Sequence, residues 1–233
     1  MLEFKDNPKE LMRALDRFLS VYFGDRQVEN QLDLDEIVTW NIPQPLKDLY
    51  SFISKYSDRD GTFGKQDTLI INSGKGKTYG GKIVIVGQNQ GCWNCFTETL
   101  GEDPPVWTEN YGWKDDSPKW KLVDNSLSQF LTTFCMQEAI FTSKYCYSGN
   151  FKTVIPILKL QGYEVSTWQG KYDVWEDYFN DREGISYFYL IEDAILISSD
   201  GWCGTNYKNA NRLLTSLEPE LTRINMNCSL HTL

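Results

Sequence analysis

The 233 residues carry a formal net charge of −9 and an apolar fraction of 41%, values that suit a folded protein of one or two domains. No apolar run approaches the ~18 residues of a membrane-spanning helix, and the first eleven residues lack the apolar stretch of a secretory signal, so we expect a cytoplasmic protein with no membrane partner. The negative charge disfavours direct binding to nucleic acid, and the single histidine, His231, leaves little scope for imidazole catalysis.

The first quarter of the chain is predicted to be helical. Asn7 and Pro8 are typical of an N-cap and a first helical position, and Gly24 can end the helix that follows them. The polar, acidic residues 24–38 predict a loop or a short connector. A second amphipathic helix is predicted over residues 46–56, directly after a proline-rich stretch that favours extended backbone.

From residue 68 the hydrophobic pattern changes to that of strands. Apolar runs at 69–71 and 83–86 predict two strands separated by a turn rich in glycine and lysine. Further strands are predicted within 92–100 and at 105–107. Residues 116–118 contain a proline between polar residues and predict a loop.

The second half of the chain mixes both element types. Ser126 is expected to cap a third helix with an apolar stripe that runs to Phe141, and a short helix is predicted over 153–160. Strands at 187–191 and 194–197 are predicted to join through a tight turn, before a closing helix at 206–217. Because strands and helices do not alternate regularly, we predict an α+β fold with a mainly antiparallel sheet, helices packed against it, and one domain over residues 1–233.

Two local motifs suggest chemistry that the surrounding sequence does not support. Residues 74–78 end like a phosphate-binding P-loop, but Ile71 stands where that motif requires glycine, so a hairpin turn is the better interpretation. Cys92 and Cys95 form a CxxC pair without a second pair to complete a zinc site, and the sequence after them predicts a strand instead of the helix of a redox motif. We therefore expect reduced thiols, with no metal, no cofactor and no catalytic residues.

The most unusual segment is 91–124, which combines four tryptophans and seven acidic residues with only three lysines. Trp93 and Trp107 stand in strand-like contexts and are expected to pack the sheet. Trp113 and Trp120 are placed in a polar loop, where an exposed aromatic side chain often marks contact with a partner. A second acidic run, 173–183, has five further acids and one arginine.

Acidic and aromatic residues together indicate a surface that binds a basic protein. The predicted contact residues are Glu98, Glu102, Asp103, Trp113, Asp115 and Asp116. The alternative is a carbohydrate-active enzyme with a carboxylate pair and tryptophan platforms. It would need two buried carboxylates about 5–10 Å apart in an aromatic cleft, a geometry that sequence alone does not reveal.

Five short stretches, in order, resemble the SUKH superfamily over residues 43–141. They are an Ile-Pro-led helix opening with Leu49-Tyr50 after it, a central strand, a glycine before the next strand, an Asp-Pro-Pro-Val-Trp step and a serine-containing helix start; their residues are 42–46, 81–86, 89–93, 103–107 and 125–131. The resemblance implies an α+β fold without a catalytic centre. It also implies a cytoplasmic immunity protein that binds and neutralises a toxin domain, often a nuclease or another toxin enzyme, encoded beside it; other members of the superfamily are protein-interaction modules. The acidic and aromatic residues indicate that such a partner is basic.

Overall fold

The computed structural model describes residues 6–24, 34–53, 64, 66–71, 73–74, 78–89, 91, 93–110, 119–171, 185–192, 194–217 and 221–224. These residues form an α+β fold, as the sequence predicts. The helices are α1 (Pro8–Phe23), α2 (Leu34–Thr39), α3 (Gln44–Ile53), α4 (Leu127–Phe141), α5 (Phe151–Leu160) and α6 (Lys208–Thr215). The strands are β1 (Asp67–Leu69), β2 (Lys82–Gln88), β3 (Asn94–Glu98), β4 (Val106–Asn110), β5 (Lys119–Asp124), β6 (Tyr145–Gly149), β7 (Val165–Lys171), β8 (Ile185–Ile191), β9 (Ile195–Ser198), β10 (Trp202–Thr205) and β11 (Leu221–Ile224).

Helix α1 begins and ends at the predicted residues. The Asn7 side chain accepts a hydrogen bond from the Glu10 N–H at 3.2 Å, and Gly24 ends the helix at a φ of 64°, which glycine adopts without strain. The predicted loop over 24–38 is wrong in part, because α2 forms there. That helix is stabilised by burial of Ile37 and of Trp40 just after it. These two apolar side chains lie in an acidic segment, so the hydrophobic pattern does not indicate a helix there.

The strands form two antiparallel sheets. The first follows chain order, β1-β2-β3-β4-β5, and the pairing of β1 with β2 agrees with the predicted hairpin, although residues 75–77 of its connection lie outside the described residues. The second has the order β11-β6-β10-β9-β8-β7. The tight turn between β8 and β9 is present, and Glu192 adopts a positive φ of 46° in it. The predicted closing helix, α6, is followed by β11.

Helix α4 lies between the two sheets and is buried on all sides. The expectation of a single apolar stripe is therefore wrong: the polar Thr132 and Thr133 are buried as fully as Phe130 and Phe134. Burial of each large apolar side chain contributes roughly 1.5–3 kcal/mol to folding. One continuous core joins α1, α3 and α4 to residues of both sheets, and a second cluster packs α5 and α6 on the far face of the second sheet.

Among the described helices, we find none with both the length and the apolar character required to cross a bilayer.

Candidate interaction surface

One face of the first sheet packs into the core, and the other face is covered by side chains of the sheet's own strands. Side chains alternate across a strand, so Ile83 and Ile85 point into the core while their neighbours Lys82 and Val84 point away. Residues directly opposite in antiparallel strands share a face, which places Phe96 beside Trp107. We call this second face the outer face. Its residues are Lys82, Val84, Phe96, Glu98, Trp107, Glu109, Trp120 and Leu122.

The Lys82 side chain lies against two tryptophan rings of the outer face. Its Nζ is 5.1 Å from the ring centroid of Trp107 and 5.1 Å from that of Trp120, distances typical of cation–π contact. The Glu98 Oε1 is 3.8 Å from the same nitrogen. Only 13% of the Lys82 side chain is exposed. Both tryptophans are half-buried, and the Lys82 side chain packs against their rings.

Trp120 belongs to strand β5, so its predicted position in a polar loop is wrong. The Trp120 ring packs edge-on against the Phe96 ring at a centroid distance of 5.0 Å, and the Tyr79 ring packs against the Phe96 ring at 5.8 Å. Phe96 is consequently 2% exposed although it lies on the outer face. The sequence does contain a signal for this strand, since residues 119–122 alternate between lysine and large apolar side chains, but the nearby acids and proline favoured a loop.

The predicted contact residues Glu98 and Glu102 lie at one end of the outer face. The Glu98 side chain is 45% exposed beside Lys82, and Glu102 is exposed in the connection from β3 to β4. Between them lies Leu100, an aliphatic side chain that is 72% exposed. An exposed leucine flanked by two acids matches the expected chemistry of a protein-binding edge.

Asp103, a third predicted contact residue, caps helix α4. Its carboxylate accepts hydrogen bonds from the Ser126 hydroxyl at 2.6 Å, the Ser128 N–H at 2.7 Å and the Ser128 hydroxyl at 3.0 Å. A carboxylate at the start of a helix is also favoured by the helix dipole. These hydrogen bonds explain where the Asp103 side chain lies. The sequence pattern predicts a partner contact for the same residue.

The other three predicted contact residues, Trp113, Asp115 and Asp116, lie outside the described residues, as does the acidic run 173–183. Residues 111–118 connect β4 to β5, whose pairing ends at Asn110 opposite Lys119. The Glu98 end of the sheet is at the other end of these strands.

A cleft of about 300 Å³ opens where the end of β5 and the start of α4 meet the end of β7. Its lining residues are Leu122, Val123, Asp124, Asn125, Ser126, Gln129, Gln169, Gly170, Lys171 and Ile185. Asp124 is only 8% exposed and accepts a hydrogen bond from the Ser126 N–H at 3.0 Å. Burial raises the pKa of the Asp124 carboxyl above its usual value, while the backbone bond from Ser126 and the charge of Lys171 oppose that rise. None of the described lining residues is aromatic.

Comparisons of the chain with protein-family models, with curated proteins and with solved structures found no match. The chemistry of the described residues therefore has to carry the functional inference.

Glu138 is a buried carboxylate with a structural role. Its two oxygens accept hydrogen bonds from the backbone N–H groups of Gln66, at 3.0 Å, and Asp67, at 2.9 Å. These bonds join the last turn of α4 to the start of β1. The sequence signal for Glu138 is its position as an acid within the apolar residues of α4.

The described cysteines are free thiols that lie inside the protein. Cys95, Cys135, Cys146 and Cys203 are all buried. Desolvation raises the pKa of Cys95, Cys135 and Cys203 well above the usual thiol value, which keeps them protonated. Cys92 and Cys228 lie outside the described residues. Among the residues the structure describes, no group of three or more potential metal-ligating side chains comes together.

Proposed function

We propose that this chain is a cytoplasmic immunity-type protein that binds and neutralises a basic toxin domain, as its resemblance to the SUKH superfamily implies. The observation that most supports the proposal is the outer face of the first sheet. There, Lys82 contacts Trp107, Trp120 and Glu98, and the connection from β3 to β4 at one end of this face carries the exposed Leu100 and Glu102. This combination suits recognition of another protein.

The physical basis of such recognition is a rigid apolar centre surrounded by charge. Indole rings provide a large contact area and lose little side-chain entropy on binding, particularly when Lys82 already holds them. Acidic side chains at the edge attract a positively charged partner and align it on the surface. A nuclease domain is such a partner, because its substrate-binding cleft has to attract phosphates.

The carbohydrate-active alternative receives less support from the described residues. Three described carboxylates are buried, those of Asp67, Asp124 and Glu138. Asp124 and Glu138 accept hydrogen bonds from backbone N–H groups and stabilise the fold. The cleft that contains Asp124 has no aromatic residue among its described lining residues. The carboxylates that share the outer face with Trp107 and Trp120 are those of Glu98 and Glu109, and the Glu98 side chain is 45% exposed. An exposed carboxylate beside the tryptophans suits protein binding better than the buried pair that a glycosidase needs.

The proposal is tested by purifying a tagged chain from its native cells at low salt, and by co-expressing it with the toxin domain that a neighbouring gene encodes. We expect one basic protein to co-purify in a stable complex, because electrostatic attraction is strongest when few salt ions screen it. Raising the salt concentration should slow association. Retention of no protein, or of an acidic protein only, would contradict the proposal.

A matched pair of double variants tests the surface. Leu100→Arg/Glu102→Lys changes an exposed leucine and an exposed acid at the outer face, and Leu160→Arg/Glu164→Lys makes the same changes at exposed positions near the second sheet. We expect the first variant to weaken toxin binding by about tenfold or more, and the second to leave it within about twofold. Both should keep the melting temperature of the wild type, because all four side chains are exposed.

Equal binding by the two double variants would show that the outer face is not the binding surface. The same binding assay with Asp115→Lys/Asp116→Lys tests the predicted contact residues that lie outside the described part of the chain.

A further inference from the structure

The cleft at the start of α4 is continuous with the outer face. Leu122 contributes to both, since it lies on the outer face of β5 and also lines the cleft. Asp124 lies two residues further along the same strand and is the buried acid of the cleft. A partner seated on the outer face would therefore have a polar cleft of about 300 Å³ beside it.

The start of α4 cannot offer this cleft an anion-binding site. The N–H groups of a first helical turn bind anions only while they lack partners. Here the Leu127 N–H donates to the Pro104 carbonyl at 2.9 Å, the Ser128 N–H donates to Asp103, and the Gln129 N–H donates to the Ser126 hydroxyl at 3.2 Å. Two carboxylates, those of Asp103 and Asp124, already occupy the positive end of the helix dipole.

A cation fits the cleft better, because the charge of Asp124 is desolvated and lacks a close basic partner. Among the described residues, no lysine or arginine lies within ion-pair distance of its carboxylate. Lys171 acts on it from further away, and burial raises the pKa of the carboxyl.

We propose that this cleft receives an arginine side chain of the partner, whose guanidinium pairs with Asp124. The inference rests on the proposed function and identifies a specific anchor for the basic partner. A guanidinium suits the cleft better than an ammonium because it is planar, carries several donors and is more weakly hydrated. The guanidinium charge would stabilise the Asp124 carboxylate, which has lost hydrating water through burial.

The test uses the full chain with ethylguanidinium chloride as the probe and follows the amide resonances of Asn125, Ser126 and Gly170 by NMR. We expect saturable shifts in the wild type and binding weaker by about tenfold or more in Asp124→Asn, whose amide oxygen still accepts the Ser126 N–H. Glu164→Gln removes an exposed acid just before β7 and should bind like the wild type. Inorganic phosphate should give no saturable shift.

The inference is overturned if ethylguanidinium gives no saturable shift, if Asp124→Asn binds it as well as Glu164→Gln, or if phosphate saturates the site. The partner assay separates this result from the proposed function. A toxin domain that binds Asp124→Asn as tightly as Glu164→Gln would end the arginine inference and leave the binding function standing. If no basic protein co-purifies, the function fails, and the ethylguanidinium titration alone decides the chemistry of the cleft.

Discussion

Glu138 holds the start of the first sheet against the last turn of helix α4. Its side chain is fully buried, and the two N–H groups that it accepts belong to the residues that lead into β1. The chain reaches this position through Gly64, whose φ of 107° favours glycine, and a Cβ there would lie 2.0 Å from the Asp67 carbonyl oxygen. One carboxylate thus satisfies two backbone donors, close to a glycine position that has no room for a side chain.

We expect Glu138→Ala to lower the free energy of unfolding by about 3 kcal/mol or more, because it leaves the Gln66 and Asp67 N–H groups without an acceptor. Glu138→Gln should cost less, about 1–2 kcal/mol, since its amide oxygen can still accept one of the two bonds. Urea unfolding measures both values. Glu164→Ala, at an exposed acid, is the control and should change stability by less than about 0.5 kcal/mol.

The residue-scale features differ in how far the sequence reveals them. An acid inside the apolar pattern of α4 marks Glu138 as unusual, but its partners are 72 and 71 residues away, a separation that no local pattern encodes. Asp103 illustrates the opposite difficulty. Its acidic neighbourhood indicated a partner contact, whereas the fold brings it to Ser126 and Ser128 as a helix cap.

Helix α4 and the second sheet approach each other closely at two glycines. A Cβ at Gly170 would lie 1.9 Å from the Thr133 hydroxyl oxygen, and a Cβ at Gly204 would lie 2.9 Å from the Ile140 Cα. The approach also lets the Trp168 ring N–H donate to Thr133 at 3.1 Å. Both glycines are needed for their small size, since neither has a positive φ.

Gly204→Ala should lower the free energy of unfolding by about 2 kcal/mol or more, because the added methyl group meets the backbone of α4, which cannot rotate away. Gly87→Ala is the matched control, a strand glycine whose added Cβ would meet only the side-chain ends of Ile70 and Asn94. Thermal or urea unfolding of both variants checks the difference. Equal destabilisation would show that strand conformation, and not the contact with α4, determines the cost.

The same close packing explains which elements the sequence could predict. The strands β2, β8 and β9 contain apolar runs and were predicted near their observed positions. Strands β7 and β10 contain Gly170 and Gly204, and glycine within a short polar stretch ordinarily indicates a turn. The helix that makes these glycines favourable is distant in the sequence, so the local pattern does not predict these two strands. Strands β6 and β11 of the second sheet are not predicted either.

At the scale of the molecule, the question is whether the two sheets unfold together. The core that joins α1, α3 and α4 extends into both sheets, which favours the prediction of one domain. Four buried thiols report on this, with Cys95 in the first sheet, Cys135 in α4, and Cys146 and Cys203 in the second sheet.

We expect all four thiols to resist iodoacetamide in the folded protein and to become reactive at one shared urea midpoint, because burial protects them until the common core opens. Tandem mass spectrometry of the alkylated peptides measures each site separately and distinguishes Cys95 from Cys92. A lower midpoint for Cys203 than for Cys95 would show that the second sheet unfolds independently, and the one-domain prediction would then be wrong.

The burial of α4 between two sheets has a consequence for biosynthesis. Chains emerge from the ribosome with the N-terminus first, so α4 and the first sheet are made before the strands that cover the other side of the helix. Thr133 and Ile140 face Gly170 and Gly204, which are synthesised later. Until Thr205 has left the exit tunnel, the nascent chain carries a helix with an uncovered apolar side, the kind of surface that a ribosome-associated chaperone binds.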